Sequence, residues 1–355
     1  MWKIFVINPG STSTKIAVYG EGKSPLEETI RHKPGIIWTF PSVTDQLNYR
    51  LDMIRSWLRE LGETIVSFSA VAVRGGLLKP LPGGTYLVNE PMLDDLVHNR
   101  YGEHASNLGA LMGHDLVQGY AVPCYMVDPV VVDEMEPVAR LSGHPLLPRK
   151  SIFHALNQRA IARKAARVLG KNYQDCRFVV AHLGGGISVA AHDQGRVVDV
   201  NNALDGEGPF SPERSGTLPA GQLVELCFSG KYSKQEVLRM VKGNGGVTAY
   251  LGTADLREVE VRSANGDSGA GQVLEAMVYQ IIKEIGAYAA VLGGSIDAIV
   301  ITGGIAYSSR LTDLIRAGVK AFAPVLIYPG EDENGALAEG VIRVLTGEEK
   351  ARIYG

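Results

Sequence analysis

A weak internal repeat constrains the fold of this chain more than any other feature of its sequence. Near the N-terminus an apolar strand, residues 4–7, meets a polar turn around Gly10, and two more strand-like segments follow, residues 15–19 and Leu26–Arg31. The middle of the chain repeats this order: strand 177–181, turn 182–186, strand 187–191 and strand Arg196–Val200. Because glycine takes a positive φ without steric cost, both turns suit hairpins. The repeat predicts two related α/β domains with a ligand between them.

Helical patterns fill the rest of the chain, so the predicted fold class is α/β. The predicted helices are one over residues 47–61 with Ser42 or Thr44 as its cap, one from Ser151 to Gly170, one capped by a box of Ser233 and Glu236, a long one over 271–292 that ends at Gly293, and a last one over 334–345. A buried strand is predicted at residues 298–302, ahead of a further pair of glycines.

Composition and charge exclude several classes of protein. The net charge is −3, with no long run of one sign, so neither nucleic acid nor an anionic membrane is an expected partner. The N-terminal apolar run is too short for a signal peptide, and no stretch approaches the ~20 apolar residues of a membrane span, so we expect a cytoplasmic protein. Cys124, Cys176 and Cys227 are far apart and odd in number, which predicts buried free thiols rather than a disulfide framework or a zinc site.

The first polar turn carries the groups that bind phosphate. Asn8, Ser11, Ser13 and Lys15 follow a buried strand directly, and they offer amide, hydroxyl and ammonium donors beside the backbone N–H groups of a glycine turn. The spacing is not that of a Walker A loop.

Two glycine turns form the second set of candidates for nucleotide binding. Gly184, Gly185 and Gly186 follow His182 at a strand end, where consecutive glycines allow a phosphate to approach the backbone. The third turn, Gly303-Gly304-Ile305, follows the buried strand 298–302 and could hold the adenosine side of a nucleotide.

Charged residues at strand ends complete the candidates. Arg74 is followed by Gly75-Gly76 and Arg214 by Ser215-Gly216, and arginine matches carboxylate and phosphate bidentately. Asp128 ends an apolar stretch, where a carboxylate could hold Mg²⁺. The acidic cluster at 330–333 is either a second metal-associated site or the solvated first turn of the last helix.

Taken in order, these motifs resemble the acetate and butyrate kinase family, within the superfamily of acetate and sugar kinases, actin and heat-shock chaperone ATPases. The resemblance covers nearly the whole chain. Its segments are the turn 8–15, the pair His104 and Asn107, Asp128, the turn 182–186, the run 214–216, the stretch from residue 243 to 257, and the turn 303–305.

The resemblance implies a fold, a set of site residues and partners. It implies two actin-like, ribonuclease-H-like domains, residues 1–148 with 334–355 and residues 149–333, with an active-site cleft between them. It implies ATP or ADP and Mg²⁺ as cofactors, and a homodimer or higher homo-oligomer. Asn8, Ser11, Ser13, Lys15, Gly184, Gly185, Gly186, Gly303, Gly304 and Ile305 would bind the nucleotide; Arg214, His182, Arg74 and Asp128 would be catalytic; Arg74, His104 and Asn107 would meet the acid; and Asp128 and Glu333 would hold the metal.

The chain also departs from the acetate kinase pattern. Val71 stands where that branch has an arginine, so Arg74 is the candidate to supply the charge from a shifted position. The metal-associated acid could be Glu331 or Glu333, and the register to the last helix favours Glu333. The shorter chain, the run 74–78 and the run 328–333 resemble the butyrate branch.

The implied reaction is in-line phosphoryl transfer between ATP and a carboxylate, with butyrate as the expected acid. Such a carboxylate is already ionised at neutral pH, so positioning and charge neutralisation carry the catalysis. Acetate, propionate and isobutyrate remain alternative acids. A nucleotide-switch ATPase of the actin or chaperone type is the alternative from a different class, and a sugar kinase remains open. A dinucleotide-binding dehydrogenase is disfavoured because the turn 184–186 leads into a strand.

Overall fold

The computed structural model describes the backbone of residues 1–355 and every side chain except that of residue 34. The chain folds into two compact units, one of Met1–Val132 with Asp332–Gly355 and the other of Asp133–Glu331. The sequence-based division has its boundaries at residues 148 and 333.

The regular elements alternate between strand and helix along much of the chain. The strands are β1 (Lys3–Pro9), β2 (Ser13–Gly20), β3 (Leu26–Arg31), β4 (Ala70–Arg74), β5 (Thr85–Leu87), β6 (Cys124–Val127), β7 (Arg177–Leu183), β8 (Ile187–Asp193), β9 (Arg196–Val200), β10 (Ala298–Gly303), β11 (Val325–Pro329) and β12 (Arg352–Ile353). The helices are α1 (Pro34–Ile37), α2 (Leu47–Glu60), α3 (Glu90–Val97), α4 (Leu108–Val117), α5 (Ala155–Val168), α6 (Ala220–Phe228), α7 (Lys234–Val241), α8 (Gly246–Leu251), α9 (Leu256–Ala264), α10 (Ser268–Val291), α11 (Ser309–Val319) and α12 (Glu333–Leu345). This mixture confirms the α/β class.

The first unit is built on a sheet with the strand order β12-β5-β6-β4-β1-β2-β3. Strands β1, β2 and β3 form an antiparallel meander, whereas β4 lies parallel to both β1 and β6. Helices α4 and α12 pack against β1 and β4, whose apolar side chains are almost completely buried. The polar ends of β1, β4 and β6 follow these buried stretches directly, which fixes where Asn8, Arg74 and Asp128 lie.

The second unit has the sheet order β11-β10-β7-β8-β9. Strands β7, β8 and β9 form a second antiparallel meander, and β10 lies parallel to β7 and β11. The long helix α10 packs on one face over the larger apolar core, and α5 covers the other face. The repeated order of strand, turn, strand, turn and strand is therefore confirmed in both units.

The helix predictions were accurate in position and weaker at the N-termini. The capping box of Ser233 and Glu236 is confirmed, and Gly293 ends α10 with φ +70°. Neither Ser42 nor Thr44 caps α2 itself, because a 3₁₀ turn, Thr44–Gln46, precedes that helix. Ser42 instead pairs with Asp45 at the start of that turn, where Ser42 Oγ accepts from the Asp45 N–H at 3.3 Å. The prediction that Ser151 begins a helix was wrong, since α5 starts only after His154.

Two further sequence-based expectations concern burial and membranes. Cys124 and Cys176 are buried as expected, but Cys227 is exposed, so the prediction of three buried thiols was wrong for that residue. Across the residues that the structure describes, no helix combines the length and the apolar character needed to cross a bilayer.

Candidate active site

The first polar turn is a tight hairpin connection between β1 and β2. The Gly10 N–H donates to the Ser13 carbonyl at 2.8 Å, and Asn8 pairs with Lys15 across the two strands. Ser11 and Lys15 are exposed, and Ser13 is half-buried. The turn therefore presents hydroxyl groups and one ammonium group to solvent from a rigid hairpin, as an anion site requires.

A buried arginine that sequence reasoning missed lies behind this turn. Arg50 of α2 is 1% exposed, and its guanidinium donates to the carbonyl oxygens of Gly10 (2.9 Å), Ser11 (3.2 Å) and Ser13 (3.2 Å). Burial lowers the pKa of Arg50 to about 10, so the group stays charged at neutral pH. The sequence signal was its spacing on α2: Arg50 lies four residues before the buried Ile54, on the apolar face.

Asn8, Arg74 and Glu333 meet at the ends of β1 and β4 and the start of α12. The Asn8 amide donates to Glu333 Oε2 at 2.9 Å, and Asn8 Oδ1 accepts from Arg74 Nη1 at 3.3 Å. Arg74 also faces both carboxylate oxygens of Glu333, at 3.2 and 3.3 Å. The structure thus brings Asn8 and Arg74, which lie at the ends of two different strands, together with Glu333, which follows Arg74 by 259 positions in the sequence.

Asp128 directly follows β6. Its φ is +37°, a left-handed value that is uncommon for residues other than glycine, although aspartate and asparagine adopt it more often than most. Its side chain is 2% exposed, and Oδ1 accepts from the Gly84 N–H at 2.7 Å. A buried carboxylate held in this way is oriented before any cation arrives.

His104 and Asn107 organise a loop beside β4. Asn107 is fully buried; its Oδ1 accepts from the Leu77 N–H at 2.8 Å, and its amide donates to Asn99 Oδ1 and the Gly102 carbonyl. Asn107 therefore joins two loop stretches, one at Leu77 and one that contains Asn99 and Gly102. Burial, and then the charge of Arg74, lower the pKa of His104, so its imidazole is neutral at neutral pH.

In the second unit, the glycine turn after β7 fits the side chain of Arg214. A Cβ on Gly186 would collide with the Arg214 guanidinium, so glycine is required for this close approach. Arg214 Nη1 donates to the Ala203 carbonyl at 2.6 Å, and its own N–H donates to Ser211 Oγ. Burial lowers the pKa of Arg214, while Glu213 and Asp205 oppose that shift.

His182 belongs to a buried polar cluster. Its Nδ1 lies 2.8 Å from Asn157 Oδ1, and its Nε2 lies 3.1 Å from Glu331 Oε1, at an angle that makes a poor hydrogen bond. The ring of His154 stacks on that of His182, with centroids 3.7 Å apart. His182 is 1% exposed and His154 is half-buried, so His154 carries the more accessible ring of the pair. No clear sequence signal pointed to His154, because a single histidine at the start of a helix does not indicate a site.

A cavity of about 830 Å³ opens between the glycine turns of the second unit. Gly184 and Gly185 line it on one side, Gly304 and Ile305 on another, and the stretch from Asp255 to Arg257 also contributes. The volume is that of a typical small-molecule site. The turns 184–186 and 303–305 are therefore close together, and Gly184–Gly186 leads into β8 rather than a helix, unlike a dinucleotide-binding turn.

The two acidic candidates have different surroundings. Glu333 joins Asn8 and Arg74, whereas Glu331 lies beside His182. Within the described part of the chain, no group of three or more His, Cys, Asp or Glu side chains could hold a metal ion. Asp128 and Glu333 offer carboxylate oxygens, which suit a Mg²⁺ ion that keeps its other positions for water and substrate phosphates.

Comparison with known proteins identifies relatives along the whole chain. The model of the Acetokinase family matches residues 143–323. Butyrate kinase 2 of Clostridium acetobutylicum is 52% identical over 353 residues, 99% of each chain, and butyrate kinase 1 of the same organism is 50% identical over 354 residues, all of each chain. The crystal structure of Porphyromonas gingivalis acetate kinase superposes with a TM-score of 0.79 at 20% identity, covering 97% of this chain and all of its own, which supports the actin-like fold.

Proposed function

The chain belongs to the acetokinase family, and from that premise we propose that it catalyses ATP + butyrate = ADP + butyryl phosphate. It is an ATP-dependent carboxylate kinase. The main support for this proposal is that each unit places cations beside a glycine turn. In the second unit the Arg214 guanidinium lies against Gly186. In the first unit Lys15 and Arg74 lie beside the turn that follows β1.

The chemistry needs positioning and charge neutralisation. A carboxylate oxygen of the acid attacks the γ-phosphorus in line, the new P–O bond forms, and the bond to the β-phosphate oxygen breaks to release ADP. Because the acid arrives ionised, no residue has to remove a proton. Arg214 would neutralise the equatorial oxygens, and the stacked pair of His154 and His182 would present ring nitrogens beside it.

The nucleotide and the acid would use different groups. The cavity lined by Gly184, Gly304 and Ile305 would hold the adenosine, and the turn with Asn8, Ser11, Ser13 and Lys15 would bind phosphate oxygens. Arg74 would orient the acid, with His104 neutral beside it. Asn107 would contribute indirectly, by holding the loop around His104 in place through its hydrogen bonds.

Mg²⁺ is proposed as the metal. It would neutralise charge on the nucleotide phosphates, and Asp128 and Glu333 would hold it through oxygen or water. Glu333 is favoured over Glu331 because it contacts Asn8 and Arg74, two other candidate site residues of the first unit.

We also propose that the protein is a homodimer or higher homo-oligomer in the cytoplasm. Support for assembly comes from α6, whose apolar Val224 and Phe228 are 56% and 87% exposed. Isolated apolar side chains are common on surfaces, but an apolar helix without a buried residue is typical of an interface. Light scattering of the wild type and of Phe228→Glu tests this; a monomeric wild type would contradict it.

The reverse reaction gives a sharp test of the function. We expect the purified protein to form ATP from ADP and butyryl phosphate in the presence of Mg²⁺, measured through a hexokinase-coupled assay. A nucleotide-switch ATPase would form no ATP here and would hydrolyse ATP without any carboxylate. That pattern would overturn the kinase proposal.

A further inference from the structure

Arg50 is a buried cation whose hydrogen bonds go to uncharged acceptors. Besides the three carbonyl oxygens of the first turn, its guanidinium donates to Thr14 Oγ1 at 3.1 Å and to Gln46 Oε1 at 2.8 and 3.1 Å. A charge withdrawn from water is costly unless an opposite charge compensates it. The neutral acceptors satisfy the N–H groups, but they leave the positive charge unbalanced.

The positive charge of Arg50 lies directly behind the turn between β1 and β2. The guanidinium draws the carbonyl oxygens of Gly10, Ser11 and Ser13 toward the interior. A turn whose carbonyl oxygens are fixed on the interior side is held in one conformation, so its N–H groups and side-chain hydroxyls keep one orientation.

A neutral histidine completes the support for the turn. His32 Nε2 lies 2.8 Å from Thr14 Oγ1, and the His32 N–H donates to the Thr12 carbonyl at 2.9 Å. Arg50 and His32 thus share Thr14 as a partner. Burial, and then the charge of Arg50, lower the pKa of His32 to about 4, so its imidazole is neutral at neutral pH. The turn keeps a single buried positive charge behind it.

We propose that Arg50 is a positioning residue for phosphate binding, which fixes the Gly10–Thr14 turn and adds a buried positive charge to its field. A bound nucleotide phosphate would supply the opposite charge that the free protein lacks. This inference rests on the proposed role of the turn in phosphate binding. It explains why α2 buries arginine, rather than leucine, at this position of its apolar face.

Three full-length variants test the proposal. Arg50→Gln removes the charge, Arg50→Lys keeps it with fewer donors, and Arg59→Gln is the control on the exposed side of the same helix. We expect Arg50→Gln to lower kcat/KM for ATP by about 10²-fold, because a turn displaced by about 1 Å loses that much. Arg50→Lys should recover part of the loss, and Arg59→Gln should match the wild type.

A purely structural role predicts a different result. It would lower the melting temperature of Arg50→Gln but leave the KM for ATP and the ADP-induced rise in melting temperature unchanged. That result, or a kcat/KM for ATP within about threefold of wild type, would overturn the proposal. If Arg50→Gln does not fold, Gln46→Leu is measured instead, because it keeps the charge and removes the acceptor that orients it. An unchanged KM for ATP in Gln46→Leu and in Arg50→Lys would then overturn the proposal.

The same experiment separates this inference from the proposed function. If the wild type makes no butyryl phosphate, the proposed function fails, but the ADP-induced rise in melting temperature still tests Arg50. Loss of that rise in Arg50→Gln, with its retention in Arg59→Gln, supports the positioning role. An equal rise in both variants contradicts it.

Discussion

The Arg74 guanidinium faces both carboxylate oxygens of Glu333, with Nη2 3.2 Å from Oε1 and Nη1 3.3 Å from Oε2. The pair is partly exposed, so the free protein holds a ready-made cation and anion at the surface of the first unit. A carboxylate ligand that binds Arg74 would compete with Glu333 for the same N–H donors.

Replacing Arg74 should weaken use of the acid more than use of ATP. We expect Arg74→Gln to lower kcat/KM for butyrate by about 10²-fold, since a bidentate partner for a carboxylate is lost. Arg74→Lys should recover only part of the lost kcat/KM for butyrate. Arg316→Gln, which changes an exposed arginine paired with Asp313, is the control. Equal kinetics for butyrate in Arg74→Gln and wild type would rule out this role.

Turnover should depend on glycine at position 186, because the Arg214 guanidinium occupies the space that a side chain there would fill. Gly186→Ala places a methyl group where the guanidinium lies, so we expect turnover to fall by about 10²-fold or more, and Arg214→Ala to cost about 10³-fold. Gly143→Ala, in open space in an exposed loop, is the matched control. A Gly186→Ala enzyme with near-normal turnover would show that Arg214 does not need this approach.

The sequence predicted those parts of the molecule that depend on local pattern. Alternation of strand and glycine turn predicted both meanders, and the Ser233 capping box follows from residues three apart. Burial of a charge depends on what a helix packs against, which is why Arg50 was missed. His154 was missed for a related reason: only the fold stacks it on His182.

The metal proposal predicts a specific defect for Asp128→Asn. Asparagine tolerates a φ of +37° and still offers an oxygen to the Gly84 N–H, so the fold should be retained. The negative charge is lost, so we expect a raised Mg²⁺ requirement and turnover about 10²-fold lower. Chelation of Mg²⁺ should abolish wild-type turnover. An unchanged Mg²⁺ dependence in the variant would remove Asp128 from the metal site.

The pH dependence of stability should carry the signature of His32. Burial, and then the charge of Arg50, lower its pKa from 6.5 to about 4. Between those values the unfolded chain binds a proton that the folded protein does not, so the stability from neutral His32 is present above about pH 6.5 and is lost toward pH 4. Melting temperatures of wild type and His32→Gln, measured from neutral pH downward, should converge. A gap that widens on acidification would contradict this.

Butyrate kinase activity is tested most directly by acyl phosphate formation from ATP and Mg²⁺, trapped with hydroxylamine, with acetate, propionate, butyrate, isobutyrate and valerate in turn. Product should form only when a carboxylate is present, with kcat/KM highest for butyrate. One methylene in an apolar pocket is worth about 1–3 kcal/mol, so neighbouring acids should react more slowly rather than not at all. ATP hydrolysis that proceeds equally without any acid, and no trapped product, would show that the protein is not a carboxylate kinase.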